Sequence, residues 1–164
     1  MSGAVCIANL ASKCEVEGVL GEGAFGKVHQ VLYRKSGERY ALKTMNLYTN
    51  DDSILAHNEI DIQRRFNHPN LARLAAFEVK RREGKASLLL EFLAGGTLQT
   101  KLDWHAHHHT LMPLDQAENY ITQMLTGLEH MHHTEARQTK ESLQGSFIHR
   151  DIKPENSESP RGEL

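Results

Sequence analysis

An α+β fold is predicted by three observations. Runs at Lys27 to Tyr33, Arg39 to Met45, Leu71 to Val79 and Ala86 to Phe92 read as strands. Ile54, Leu55, Ile62 and Phe66 fall at helical intervals, giving one helix an apolar face with which to lie on the sheet. From Pro113 to His133, Ala117, Tyr120, Ile121, Met124, Leu125, Leu128 and Met131 keep a 3-4-3 spacing, the core-facing stripe of a long amphipathic helix with Pro near its first turn.

Composition narrows the class. The 164 residues fit a single domain, 39% apolar content is adequate for a core, and a formal charge of −2 argues against a nucleic-acid or membrane partner. Cys6 and Cys14, both near the start, read as free thiols in a reducing compartment, which places the chain in the cytoplasm, the nucleus being compatible too. Met1 to Ala11 lacks a positive n-region and is interrupted by Asn9, so it does not read as a signal peptide. Ser2 does not match the myristoylation pattern, and no repeat or transmembrane run occurs.

Along the chain, Leu20-Gly21-Glu22-Gly23-Ala24-Phe25-Gly26-Lys27-Val28 is a G-x-G-x-x-G-x-V segment. In dinucleotide-binding folds such glycines open a helix. Here a strand follows, so the glycines sit at a β-hairpin turn, where missing side chains let backbone N–H groups approach phosphates. Ala41-Leu42-Lys43 lies in the next strand, and Glu59 stands in the helix before His68-Pro69-Asn70. The two strands from Leu71 and Ala86 are joined by Lys80-Arg81-Arg82-Glu83-Gly84-Lys85, a solvated hairpin tip. Leu90-Glu91-Phe92-Leu93-Ala94-Gly95-Gly96 follows, then the long helix, a polar connection from Thr134 to Phe147 read as a mobile insertion, and the octapeptide His149-Arg150-Asp151-Ile152-Lys153-Pro154-Glu155-Asn156.

The octapeptide matches H-R-D-[LI]-K-x-x-N, and with the glycine segment, A-x-K and the helix Glu in the required order the chain resembles the eukaryotic protein kinase family, Ser/Thr type. The Lys two residues after the Asp is the form that resembles Ser/Thr rather than tyrosine kinases. The resemblance implies a kinase-like small lobe, an antiparallel sheet plus one helix, followed by only the first helices of the helical large lobe. It implies ATP and Mg2+ as cofactors and Ser/Thr hydroxyls of proteins as substrates. ATP would lie beneath the glycine loop, against a hinge where Leu90 guards the back pocket and Glu91 carbonyl and Leu93 amide meet the adenine edge. Val28 would pack on the adenine face, Ala41 belongs to the nucleotide-binding set, Lys43 held by Glu59 would meet the α- and β-phosphates, and Leu20, Glu22, Ala24, Phe25 and Lys27 complete the loop around Gly21, Gly23 and Gly26. Asp151 would accept the substrate hydroxyl proton, Lys153 would neutralise the transferred phosphate, and Asn156 would ligate magnesium.

The resemblance divides the chain into an N-terminal segment, 1–15, a small lobe, 16–90, a hinge and start of the large lobe, 91–156, and a non-family tail, 157–164. In the family an apolar strand, D-F-G and the activation segment follow the Asn. Here Ser157-Glu158-Ser159-Pro160-Arg161-Gly162-Glu163-Leu164 follows, with a disordered-looking composition and a carboxylate where an apolar residue would underlie adenine. Gln63 also stands at a helix position where the family usually packs an apolar side chain, although polar residues occur there. The expectation is a chain truncated just after its catalytic loop, with a helix face awaiting a partner. The alternative is a catalytically inactive isoform that binds nucleotide or a partner. Of eleven histidines, His105, His107, His108 and His109 form one cluster and His130, His132 and His133 another, which raises a metal site, but no Cys or carboxylate pattern completes either cluster at ligand spacing.

Overall fold

The structure is a computed structural model that describes residues 3–23, 26–134, 149 and 151–159. The chain forms two compact units, Met1–Asn67 with Ala72–Phe92, and His68–Leu71 with Leu93–Leu164. Among the described residues no helix is long and apolar enough to cross a membrane. Ala24, Phe25, Arg150, most of the connection after the long helix and the tail beyond Ser159 lie outside the described residues.

The first unit is a six-stranded sheet carrying one helix. Its strands are β1 (Val5–Cys6), β2 (Cys14–Gly23), β3 (Gly26–Tyr33), β4 (Glu38–Asn46), β5 (Leu74–Lys80) and β6 (Lys85–Glu91), in the order β1-β5-β6-β4-β3-β2. The pairs are antiparallel except that β1 runs parallel to β5, so the sheet is mixed rather than purely antiparallel. β2 and β3 make the expected hairpin, closing at Gly23↔Gly26. The tip between β5 and β6 is a 3-10 turn at Arg81–Glu83 ended by Gly84 at φ 61, and its charged side chains are exposed as expected.

Helix α1 (Asn50–Gln63) begins at a capping box in which Thr49 accepts from the Asp52 amide and Asp52 accepts from the Thr49 amide. Its buried positions are Ala56 and Ile60, and Phe66 is buried just beyond. Ile54 and Leu55, expected on that face, are 57% and 50% exposed. The spacing of large apolar residues misled, because the seat against the sheet uses Ala56, small enough for close approach, one turn before Ile60. Alternation along the strands sends side chains into two cores. Met45, Leu47, Ala56, Ile60, Leu74, Ala86 and Leu88 cluster on the helix side. Leu10, Cys14, Val31, Leu42, Ala76 and Leu89 cluster separately.

In the second unit, α2 (Leu98–His107) follows an N-cap at Thr97, and α3 (Leu114–His133) starts directly after Pro113. Leu71–Arg73, expected as strand, is not one. The turn at His68 to Leu71 belongs to α3's unit: the Asn70 side chain donates to Gln123 Oε1 at 3.1 Å and accepts from Thr126 Oγ1 at 3.0 Å. Gly127 permits this, since a Cβ there would meet the Asn70 carbonyl at 3.0 Å. Only part of the α3 stripe is core: Gly127 and Met131 are buried, whereas Ile121 and Leu125 are 57% and 59% exposed. Ser157–Ser159, expected to be unstructured, pairs with the α2 entry through Gly95 N–H to Ser159 O at 2.8 Å, Ser159 N–H to Gly96 O at 3.0 Å and Leu98 N–H to Ser157 O at 2.7 Å. Backbone pairing is indifferent to the polar composition that suggested otherwise.

Candidate active site

The sheet unit gathers most of the predicted nucleotide-binding residues. Leu20, Gly21, Glu22 and Gly23 are on β2, Gly26, Lys27 and Val28 on β3, and Ala41 and Lys43 on β4. Val28 pairs directly with Lys43, and Ala41 with Leu90, so these four side chains share one face. Leu90 and Glu91 end β6; the Glu91 amide donates to the Arg73 carbonyl at 2.9 Å. Leu93 lies in the other unit.

Lys43 Nζ lies 2.5 Å from Glu59 Oε1, with side chains 24% and 34% exposed. The pair forms because β4 and α1 bring position 43 and position 59 to the same side of the sheet. Such a half-exposed pair fixes the ammonium more than it stabilises the fold, contributing about 1 kcal/mol or less. One turn after Glu59, Gln63 Nε2 donates to the Ala72 carbonyl at 2.6 Å. In the sequence Gln63 stands out only as a departure from the family, and its polar side chain is the signal for this tie. Glu22 and Lys27 pair across the hairpin at 3.1 Å, both well exposed.

Gly21 and Gly26 differ in their reason for being glycine. A Cβ at Gly21 would meet nothing within 4 Å, leaving the backbone there open to a phosphate. Gly26, at φ 137, lies so close to β4 that a Cβ would stand 1.9 Å from the Thr44 carbonyl oxygen. Its requirement is set by strand packing and by backbone conformation.

The other unit carries the second half of the chemistry. Lys153 Nζ lies 3.2 Å from Asp151 Oδ2, and Asn156 Nδ2 donates to the same oxygen at 2.8 Å and to the Asp151 carbonyl at 2.9 Å. A 3-10 turn at Pro154–Asn156 brings Asn156 back to Asp151. His149 Nδ1 accepts from the Asp151 amide at 3.3 Å. Lys153, then Asn156, hold the Asp151 carboxyl below the usual aspartate range. It is therefore a carboxylate at neutral pH, able to accept a proton from a hydroxyl.

These residues fit the cofactors that the sequence implies. Val28, Ala41 and Leu90 offer an apolar surface to a flat base beside a fixed cation, Lys43, suited to phosphates. Asn156 spends its NH2 on Asp151, so its amide oxygen is the atom that would be left to ligate a hard cation. Bound magnesium ATP would supply the phosphoryl group and its charge neutralisation. Among the described residues, no group of three or more His, Cys, Asp or Glu could hold a metal ion.

A sheet-plus-helix unit with a Lys–Glu pair, and a loop with an Asp–Lys–Asn constellation, are the arrangements that mark the protein kinase class. A family model described as protein kinase domain matches residues 14–157, and the chain belongs to this family. Its curated relatives include Ser/Thr kinases. It is 33% identical over 144 residues to an Aurora kinase of Saccharomyces cerevisiae, covering 84% of this chain and 34% of that protein. It is 34% identical to serine/threonine-protein kinase 16 of Rattus norvegicus, covering 84% of this chain and 42% of the relative. Against ribosomal protein S6 kinase alpha-1 of Mus musculus the identity is 35%, covering 88% and 18%. The twitchin kinase region of C. elegans superposes with a TM-score of 0.75 at 27% identity, covering 98% of this chain and 26% of that one. The chain thus spans less than half the length of these relatives.

Proposed function

We propose that this chain supplies the nucleotide-binding sheet and the catalytic loop of an ATP-dependent protein serine/threonine kinase, which moves the ATP γ-phosphate to Ser or Thr hydroxyls of proteins. The carrying observation is the Asp151 carboxylate, kept ionised by Lys153 and oriented by Asn156. In this reading the Ser/Thr hydroxyl oxygen attacks the γ-phosphorus, its proton passes to Asp151, and ADP leaves. Lys43 binds the non-transferred phosphates, and Lys153 faces the charge on the transferred one. In the longest gene product containing these residues, Asp151→Asn is expected to lower kcat for a generic protein substrate about 10²- to 10⁴-fold. Activity within twofold of the unmutated enzyme would refute the assignment.

A second reading, a nucleotide- or partner-binding form without turnover, is favoured by one observation. Leu114, Ile121 and Leu125 on α3 are 74%, 57% and 59% exposed, a surface suited to a protein partner. Purified residues 1–164 with magnesium ATP are expected to show no phosphorylation of a generic substrate. Turnover by this polypeptide that Asp151→Asn abolishes would sink the second reading.

A further inference from the structure

Glu78 is a buried carboxylate with no part in the chemistry above. It stands in β5 at 8% exposure, and each oxygen accepts one backbone amide from far upstream: Asn9 N–H at 2.6 Å and Leu10 N–H at 2.9 Å. Two consecutive amides converge on one carboxylate because Asn9 takes a left-handed φ of 55, which an asparagine tolerates better than most residues. A carboxylate is buried here only because both oxygens are bonded.

The residues before Asn9 are tied to the same strand, and on the other side the Arg34 amide donates to the Lys13 carbonyl at 3.0 Å. Val5 and Cys6 run parallel to Ala76 and Phe77, and the Ile7 amide donates to the Phe77 carbonyl at 3.0 Å. Leu10, fully buried, enters the cluster of Val31, Leu42, Ala76 and Leu89. Leu42 and Lys43 point to opposite faces of β4, so Leu10 covers the back of the sheet whose front carries Lys43. The ladders that join β2 to β6 use none of residues 3–13. A two-residue strand is too short to be stable by itself.

We propose that residues 3–13 form a strap that opens from the back of the sheet as one unit, with Glu78 as its latch. Closed, it caps the β5 edge at Ala76 and Phe77 and plugs the rear core with Leu10. Open, it bares Val31, Leu42, Ala76 and Leu89 while the β2 to β6 ladders persist, and the Glu78 carboxylate returns to water. Such local opening lies below global unfolding in free energy.

Amide hydrogen exchange on the full 164-residue chain under native conditions tests this. In the unmutated chain the amides of Ile7, Asn9 and Leu10 are expected to exchange together, at least tenfold faster than those paired between β3 and β4. Glu78→Gln places an NH2 where one acceptor stood, and is expected to speed exchange of the strap amides about 10- to 100-fold while leaving β3–β4 within twofold. Strap amides that exchange only with β3–β4, in one global event, would overturn the proposal whether or not the variant folds. Equal acceleration of strap and β3–β4 amides in Glu78→Gln would overturn it as well.

Discussion

Replacing Gly26 by alanine separates two meanings of a glycine-rich loop. The new Cβ would stand 1.9 Å from the Thr44 carbonyl oxygen, against roughly 3.3 Å for a close carbon–oxygen contact, so β3 and β4 would have to part by about 1.4 Å there. Backbone, not a flexible side chain, blocks the methyl, and Lys27↔Thr44 is a ladder pair beside it. Overpacking of this kind costs about 1–3 kcal/mol. Holding an L-residue at φ 137 adds about 1–3 kcal/mol. At roughly 4–8 °C per kcal/mol for a unit of this size, Gly26→Ala is expected to lower Tm by about 8 °C or more, read by circular dichroism. Gly21→Ala is the control: its Cβ meets nothing within 4 Å, so its Tm should stay within about 3 °C of the unmutated chain. If Gly26→Ala melts within 3 °C of Gly21→Ala, the packing argument fails.

Three further outcomes follow from the same geometry. The Asp151 carboxyl titrates below the usual aspartate range chiefly through Lys153, so its contribution to stability is present at neutral pH and is lost as pH falls through the depressed value; Lys153→Met should raise its NMR-detected midpoint towards an ordinary aspartate, and an unchanged midpoint would count against the Lys153 contact. Gln63→Ala leaves the Ala72 carbonyl without its donor and should cost about 1–3 kcal/mol in urea unfolding, whereas a loss below about 0.5 kcal/mol would mean that water replaces the amide. Glu59→Gln should change stability by no more than about 1 kcal/mol yet weaken binding of a fluorescent ATP analogue severalfold, and unchanged affinity would show that Lys43 needs no partner to meet phosphate.

What could be read in the sequence was whatever depends on local spacing. The hairpin at Gly23 and Gly26, the alternation that sets Ala41 and Lys43 on one face, and the loop from Asp151 to Asn156 are contacts between near neighbours or adjacent strands. Glu59 was legible only through the family's motif order, because nothing in α1 itself aims it at Lys43. The helix's own pattern pointed wrongly to Ile54 and Leu55, since large apolar residues weigh more in a periodicity than Ala56 does. Glu78 was invisible for a different reason. A lone Glu in a strand looks solvated, and its partners are backbone amides 69 and 68 residues away, which leave no mark on residue type.

The weak amphipathicity of α1 has a consequence for how Lys43 is held. With Ile54 and Leu55 exposed, apolar anchoring falls to Ala56, Ile60 and the following Phe66. Further ties include the Thr49–Asp52 cap at the start, Arg81 beside His57, Glu59 to Lys43, and Gln63 to the Ala72 carbonyl near the end. Glu59 and Gln63 are four apart, one above the other on the same helix face, so the Gln63 bond fixes the turn from which Glu59 reaches β4. An apolar residue at 63 would add burial but leave the Ala72 carbonyl without this donor. Gln63 thus replaces non-directional packing with a directional bond, and the position of Glu59 depends on hydrogen-bond geometry more than on the depth of the core.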